Sequence, residues 1–481
     1  MAAVGAAALL TGAMANAAET LTGALVKTYA GNPTIMSQRA QLRSLDEGVA
    51  AARAAGRPQL AGTAGLNQDL FQTGGGGGRN ISAGVDVSYP LFNGGRVRNA
   101  IRAADERVLA GRANLKATEG DIFTEAVGAY MDVIRDRSIV TLNQNQVRVL
   151  QTNLQASRDR FEVGDLTRTD VAQSEARLAL AQSALATAEG RLSGSEENYR
   201  RVIGELPEEL APPDPLPSLP ATADQAVEIA LANNSDLVAI AAQARAAGRE
   251  VAVARADRLP TVSAVSGVDA ANYLGTADRQ FAPGAPNQVF QGTVGVQARI
   301  PIYQGGLVGA RVRQSQAEQG RLLELGVELE RRVVANTRAA FSSYQAAVEA
   351  IESNQVAVNA NTLALEGTRA EQTVGTRNVL DVLNAEQELL NSQVQLVSAR
   401  RDAYVAGFAL LNAMGKAEAE DINLDGGALY DPIVHYNRTR KRNSDWSDDP
   451  TPVAVSTRTV AGGSASPIAG PPNTPVTPPS N

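Results

Sequence analysis

Asp170 and Asp381 have the clearest claim to chemistry in this sequence, because they recur in the same surroundings. Each precedes a valine and follows a Val-Gly pair by six residues: Val163-Gly164 before Asp170, Val374-Gly375 before Asp381. Glycine tolerates the positive φ that a tight helical turn demands, so Gly164 and Gly375 mark turns. Thr169 and Asp170 lie about one helical turn beyond the first, Arg377 and Asp381 beside and beyond the second. Carboxylates on helix tips do not converge on a pocket, so acid–base catalysis lacks its geometry. An electrostatic role and an ordinary solvated position both stay open. Other reactive groups are scarce. There is no cysteine, which removes thiol catalysis, disulfides and thiolate metal sites. The lone histidine, His435, sits in a polar tail and is expected to be solvated. The glycine run from Gly74 to Gly78 lacks the following Gly-Lys-Ser/Thr of a phosphate loop and reads as a hairpin tip. No enzyme activity and no cofactor are expected.

The tips belong to a chain that repeats itself. Tyr89-Pro90-Leu91-Phe92-Asn93-Gly94-Gly95 recurs as Ile300-Pro301-Ile302-Tyr303-Gln304-Gly305-Gly306. The offset, 301 − 90 = 211, also carries Asn143 onto Asn354, Gly164 onto Gly375 and Gly204 onto Gly415. Pro58 and Pro260 correspond at 202, so a loop of variable length lies between the prolines of each copy. Each copy reads helix, strand, loop, strand, long helix, tight turn, helix. The expected divisions are an export signal at 1–17 ending in Ala15-Asn16-Ala17, a first repeat at 18–204, a proline-rich linker at 205–222, a second repeat at 223–425, and a disordered tail at 426–481. The signal lacks the usual Lys or Arg before its apolar run. The tail's basic cluster, Arg438 to Arg442, is expected to be solvated.

In the strands, Ile81, Val85, Val87, Tyr89 and Leu91 alternate with Ser82, Gly84, Asp86, Ser88 and Pro90. Phe290, Val294, Val296 and Ile300 alternate likewise with polar residues. One apolar and one polar face at period two suits a membrane β-barrel wall. No apolar stretch is long enough for a transmembrane helix. Four strands cannot close a barrel, since spanning barrels start at about eight. If these strands cross a membrane, several chains must share one barrel.

The helices are long. No proline interrupts Arg96 to Glu162 or Leu307 to Thr373, each roughly 100 Å at about 1.5 Å per residue. Apolar residues recur every seven positions: Val133, Val140, Val147, Leu154, Phe161, and in phase Tyr344, Ile351, Val358, Leu365. That period means coiled-coil contacts. A hollow helical tube and a solid coiled-coil stalk both satisfy it. The strands, the glycine corners and the duplication favour the tube. The net charge of −7 argues against nucleic acid as the main partner.

These residues resemble the TolC family of outer-membrane efflux proteins over roughly residues 18–425. The resemblance rests on the corners Pro90/Gly94/Gly95 and Pro301/Gly305/Gly306 and on the tips Val163 to Val171 and Val374 to Leu383. It implies a mixed α and β membrane protein that works as a homotrimer. Three chains of four strands would share a twelve-stranded barrel in outer-membrane lipid. The helices would form a periplasmic tunnel tapering to a closed end. A periplasmic adaptor (membrane fusion) protein and an inner-membrane pump or ABC exporter would dock there, around Val163, Gly164, Val374 and Gly375. Small molecules or secreted proteins would leave through it. The resemblance also places Arg377, Thr169 and Asp170 in links that hold the closed end, and Asp381 in a ring of carboxylates at the constriction. Asn384 stands where a second acidic ring residue is expected, and Gln372 replaces a tyrosine of the closing network. The alternative function is a structural coiled-coil protein anchored in the outer membrane without an open channel.

Overall fold

Thr20 and Asn32 open the fold, each lending its side-chain oxygen to a helix start. Thr20 caps α1 (Leu21–Gly31), and Asn32 both ends α1 and caps α2 (Pro33–Ala54), with Pro33 at the first helical position. The second copy repeats this. Thr222 caps α5 (Ala223–Asn233) and Asn234 caps α6 (Ser235–Ala256). Each pair has 11 and 22 residues. The remaining elements are β1 (Gln59–Gln68), β2 (Arg79–Phe92), α3 (Arg96–Glu162), α4 (Arg168–Ile203), β3 (Thr261–Asn272), β4 (Gln288–Arg299), α7 (Leu307–Thr373), α8 (Val379–Ala413) and a short α9 (Pro432–Thr439). This computed structural model describes residues 18–68, 78–276, 286–422, 424 and 429–459. The expected signal at 1–17 and most of the glycine run lie outside the described residues.

The strands form one antiparallel sheet in the order β1-β2-β3-β4. Its register sorts the side chains. Leu60, Val87, Ser266 and Val294 stand opposite one another, as do Tyr89, Ala264 and Val296. On the other face lie Ala61, Asp86, Gly267 and Thr293, beside Thr63, Gly84, Asp269 and Gln291. The apolar face is bare: Phe290 is 78% and Val294 86% exposed. Among the described residues no helix is long and apolar enough to cross a membrane. β1 and β4 are both open edges, rows of unpaired backbone groups that invite a further strand.

The corners differ in a telling way. Gly94 and Gly95 have φ of 61° and 80°, and Gly305 and Gly306 have 59° and 82°. A Cβ on Gly94 would stand 2.9 Å from Leu259, whereas one on Gly305 meets nothing within 4 Å. Pro90 sits at a bulge near the end of β2, past the last residue paired with β1, and Pro301 lies just beyond β4. Both therefore avoid a ladder hydrogen bond they could not make.

The main core lies midway along the helices. Phe123, Val127, Tyr130 and Val133 of α3 meet Leu25 of α1, Tyr199 of α4 and Leu410 of α8. The Tyr130 hydroxyl lies 2.8 Å from the Glu19 carbonyl and 2.6 Å from that of Ala211. The linker is thus strapped to the N-terminal segment, with Glu19 and Leu210 in a parallel bridge. The predicted heptad phase is visible in burial. Val133, Val140, Val147 and Leu154 are buried, and Phe161 near the tip is exposed.

The tail departs from the expectation of disorder over the residues described. Asp431 accepts from the Ile433 amide at 2.7 Å and starts α9, which packs on α2. His435, expected in solvent, is buried and 2.9 Å from Asp46. The basic cluster is only partly free. Thr439 is buried against Glu47, and Arg442 pairs with Asp449. Composition misled because the docking is polar: α9 contributes His435, Tyr436 and Thr439, which hydrogen-bond to carboxylates of α2 and α3.

Glu119 of α3 is buried near Arg39 and Lys116, and burial pushes its carboxyl up to about 7. The folded state then holds a proton that the unfolded chain releases near pH 4.5. Stability from this group is full below that pH and is lost as pH rises through about 7. Glu119→Gln should remove the loss, stabilising the protein at pH 8 by on the order of 3 kcal/mol and leaving pH 4 little changed. Urea unfolding at the two pH values checks it.

Candidate functional site

Each helical hairpin turns on one glycine. In the first, Gly164 has φ 85°, and the Asp165 amide donates back to the Arg160 carbonyl at 2.9 Å. In the second, Gly375 has φ 81°, and Thr376 donates to Glu371 at 3.0 Å. These bonds satisfy carbonyls that a helix end leaves orphaned. Val163 and Val374, the preceding residues, are each exposed at the tip. Two apolar knobs and two tight turns therefore project from the same end of the chain.

The carboxylates have local duties first. Thr167 caps α4, its hydroxyl 2.7 Å and its amide 3.0 Å from Asp170 Oδ2. The Thr167 bonds hold the Asp170 carboxyl below its usual range. At α8 the cap is Asn378, whose Oδ1 accepts from the Asp381 amide at 2.8 Å. Both are capping boxes, built with Asp at the third position. Arg377 turns back on its own hairpin: Nε lies 2.8 Å from Glu371 and Nη1 3.9 Å from Asp381. Within the chain Arg377 therefore meets Asp381 but is not joined to Thr169 or Asp170. Asn384 is the expected site residue that does bridge hairpins, accepting from Arg177 of α4 at 2.6 Å. Gln372 lines a cleft between the hairpins with Asn153, Ser157 and Leu383.

The strongest junction escaped sequence reasoning. Glu386 of α8, only 4% exposed, accepts from Arg369 of α7 at 2.8 Å and from Asn153 of α3 at 3.1 Å. Arg369 is half exposed, so it is the buried Glu386 carboxylate that distinguishes this charge-assisted pair from one wholly in solvent. The repeat held the clue. Arg158 and Glu175 stand 211 positions earlier and pair at 2.6 Å, but in solvent. The copies share the pair and differ in cover, because α3 supplies Asn153 to the second and, among the described residues, no such partner meets the first. Farther from the tips, Asp132 joins Arg135 and Arg401, and Asp136 joins Arg135 and Arg191. Asp136 is buried, yet the two arginines keep its carboxyl low.

The arrangement is a set of long hairpins tied by polar links, with a sheet that carries one bare apolar face. The Outer membrane efflux protein family matches residues 24–205 and 226–416. The chain is 36% identical over 450 residues to the outer membrane efflux protein BepC of Brucella suis biovar 1 (strain 1330), covering 91% of this chain and 95% of that one. It is 24% identical over 436 residues to the outer membrane protein TolC of Escherichia coli (strain K12), covering 86% of each. The fold also matches the outer membrane protein VceC from Vibrio cholerae, with a TM-score of 0.69 at 21% identity over 82% of this chain and 96% of that one. Two matched segments that coincide with the two repeats, and a relative aligned nearly end to end, place this chain in the outer membrane efflux protein family, with the TolC-like fold.

Proposed function

We propose that three copies of this chain close a passive duct through the outer membrane, through which an inner-membrane pump and a periplasmic adaptor discharge small molecules or secreted proteins. One observation carries the reading: matched helices with unmatched cover. α3 buries 25 of its 67 residues and α7, equally long, buries 7. α3 packs against α1, α2, α4, α6 and α8, whereas α7 packs against α5, α6 and α8. In a closed ring, α2 of the next chain would fill the missing place. The bare corner at Gly305 and the open edges β1 and β4 fit the same closure. The family match and BepC, an outer membrane efflux protein by name, support the export role.

The six tips of such a trimer would ring the periplasmic end, with Val163, Gly164, Val374 and Gly375 as the surface offered to the adaptor. Arg377, Thr169 and Asp170 are then candidates for links between neighbouring chains. Three Asp381 carboxylates, with Asn384 one turn on, would line the constriction. Reconstitution in planar bilayers tests the whole. A detergent-extracted trimer that gives discrete conductance steps supports the duct. A soluble monomer that never enters lipid removes it, and a trimer without conductance favours the anchored stalk. Asp381→Ala should lower the cation preference of the open pore toward unity, since like charges in a constriction favour counter-ions. Reversal-potential measurements in a salt gradient check this, and unchanged selectivity rejects the ring.

A further inference from the structure

His435 is the lone histidine of the chain, and the tail folds back to bury it. Its surroundings are those of a ligand. Nδ1 lies 2.9 Å from Asp46 Oδ2, and Asp46 is itself buried. With Nδ1–H donating to that carboxylate, the lone pair stays on Nε2. Nε2 faces Glu47 Oε1 at 4.0 Å, too far for a hydrogen bond. Asp449, from the segment after α9, completes the group. One ligand atom from each of Glu47, His435 and Asp449 lies within 4.8 Å of the others, the one such grouping among the described residues.

We propose that Glu47, His435 and Asp449 bind one divalent transition-metal ion of the zinc class, fastening the tail to α2. Each ligand already has an outer partner. Asp46 orients His435, the Thr439 hydroxyl donates to Glu47 at 2.9 Å, and Arg442 holds one Asp449 oxygen at 2.6 Å and leaves the other free. Outer partners of this kind fix ligand orientation and raise the basicity of the imidazole. An imidazole with two carboxylates suits zinc, and the fourth position is left to water. Ligand atoms about 2.0–2.2 Å from a common ion must lie somewhat closer together than they do here. Glu47 and Asp449 are half exposed and can make that movement with their Thr439 and Arg442 partners following, while His435 is held. The competing arrangement is His435 hydrogen-bonded to Asp46 beside Glu47, with no ion.

The test uses the untagged, full-length protein in detergent, stripped with EDTA. Zn2+ is titrated by calorimetry at pH 7.5, and Co2+ by visible absorption. The proposal expects one ion per chain, a cobalt d–d band, and a thermal midpoint raised by Zn2+. His435→Gln should abolish all three. Asp46→Asn should weaken binding by about 10- to 100-fold. Because these buried variants could loosen the tail, Glu47→Gln and Asp449→Asn serve as exposed counterparts; each should lose the band with helical content unchanged. Absence of heat and band in the unsubstituted protein overturns the site in favour of the bare hydrogen bond to Asp46. Binding undiminished in both Glu47→Gln and Asp449→Asn overturns it as well.

Discussion

Val294→Arg is expected to abolish insertion into the outer membrane, while Thr293→Arg, one residue away, leaves assembly intact. The register decides between them. Val294 stands opposite Ser266 on the face shared with Leu60 and Val87, and is 86% exposed. Thr293 stands opposite Gly267 and in the same row as Asp86, on the polar face. A cation on the lipid side of a barrel strand costs about 2–4 kcal/mol near the bilayer midplane. In the proposed trimer the cost enters three times, on the order of 6–12 kcal/mol, comparable with the whole stability of a domain. An arginine at 293 would instead meet water and the Asp86 carboxylate. Outer-membrane fractionation with a native-gel assay for the trimer reads both variants. Equal yields would mean that the apolar face does not meet lipid.

Tyr130→Ala should be the most damaging change in the helical part. Tyr130 is fully buried beside Phe123 and Tyr199. Truncating a buried aromatic ring costs about 3–5 kcal/mol, from lost transfer energy and the cavity left behind. Its hydroxyl also serves the carbonyls of Glu19 and Ala211, which hold the N-terminal segment against the linker. Tyr130→Phe isolates that part and should cost about 1–3 kcal/mol. Circular dichroism during urea unfolding ranks the two. An alanine variant within about 1 kcal/mol of the parent would show that the equatorial core does not hold the hairpins together.

Much of the fold was written in local sequence. Both long helices run without proline between a glycine corner and a glycine turn, at the bounds found, Arg96–Glu162 and Leu307–Thr373. Period-two alternation marked β2 and β4, and the heptad phase marked which face of α3 is buried. The break at Asn32 and Pro33 was not drawn, although Asn followed by Pro is itself a helix stop and start. At the tips, sequence located Gly164 and Gly375 and their carboxylates. It did not anticipate that Asp170 and Asp381 would serve as capping residues, because the box here uses Asp in place of the usual Glu or Gln.

Sequence alone determined the duplication, the helix lengths, the strand faces and the glycine turns. The duplication shows as a constant offset along the chain, and the other three depend on residues within a few positions of one another, where backbone sterics and hydrogen-bond period act directly. Tertiary structure alone decided that Glu386 is covered by Asn153, that Arg177 reaches Asn384, and that His435 settles against Asp46, 389 residues away in the chain. It also decided that α7 lacks the cover α3 enjoys. Nothing in a residue's own neighbourhood specifies such contacts. They form because packing the two repeats side by side fixes which polar groups lose their water together, and which are left facing the place of a neighbour.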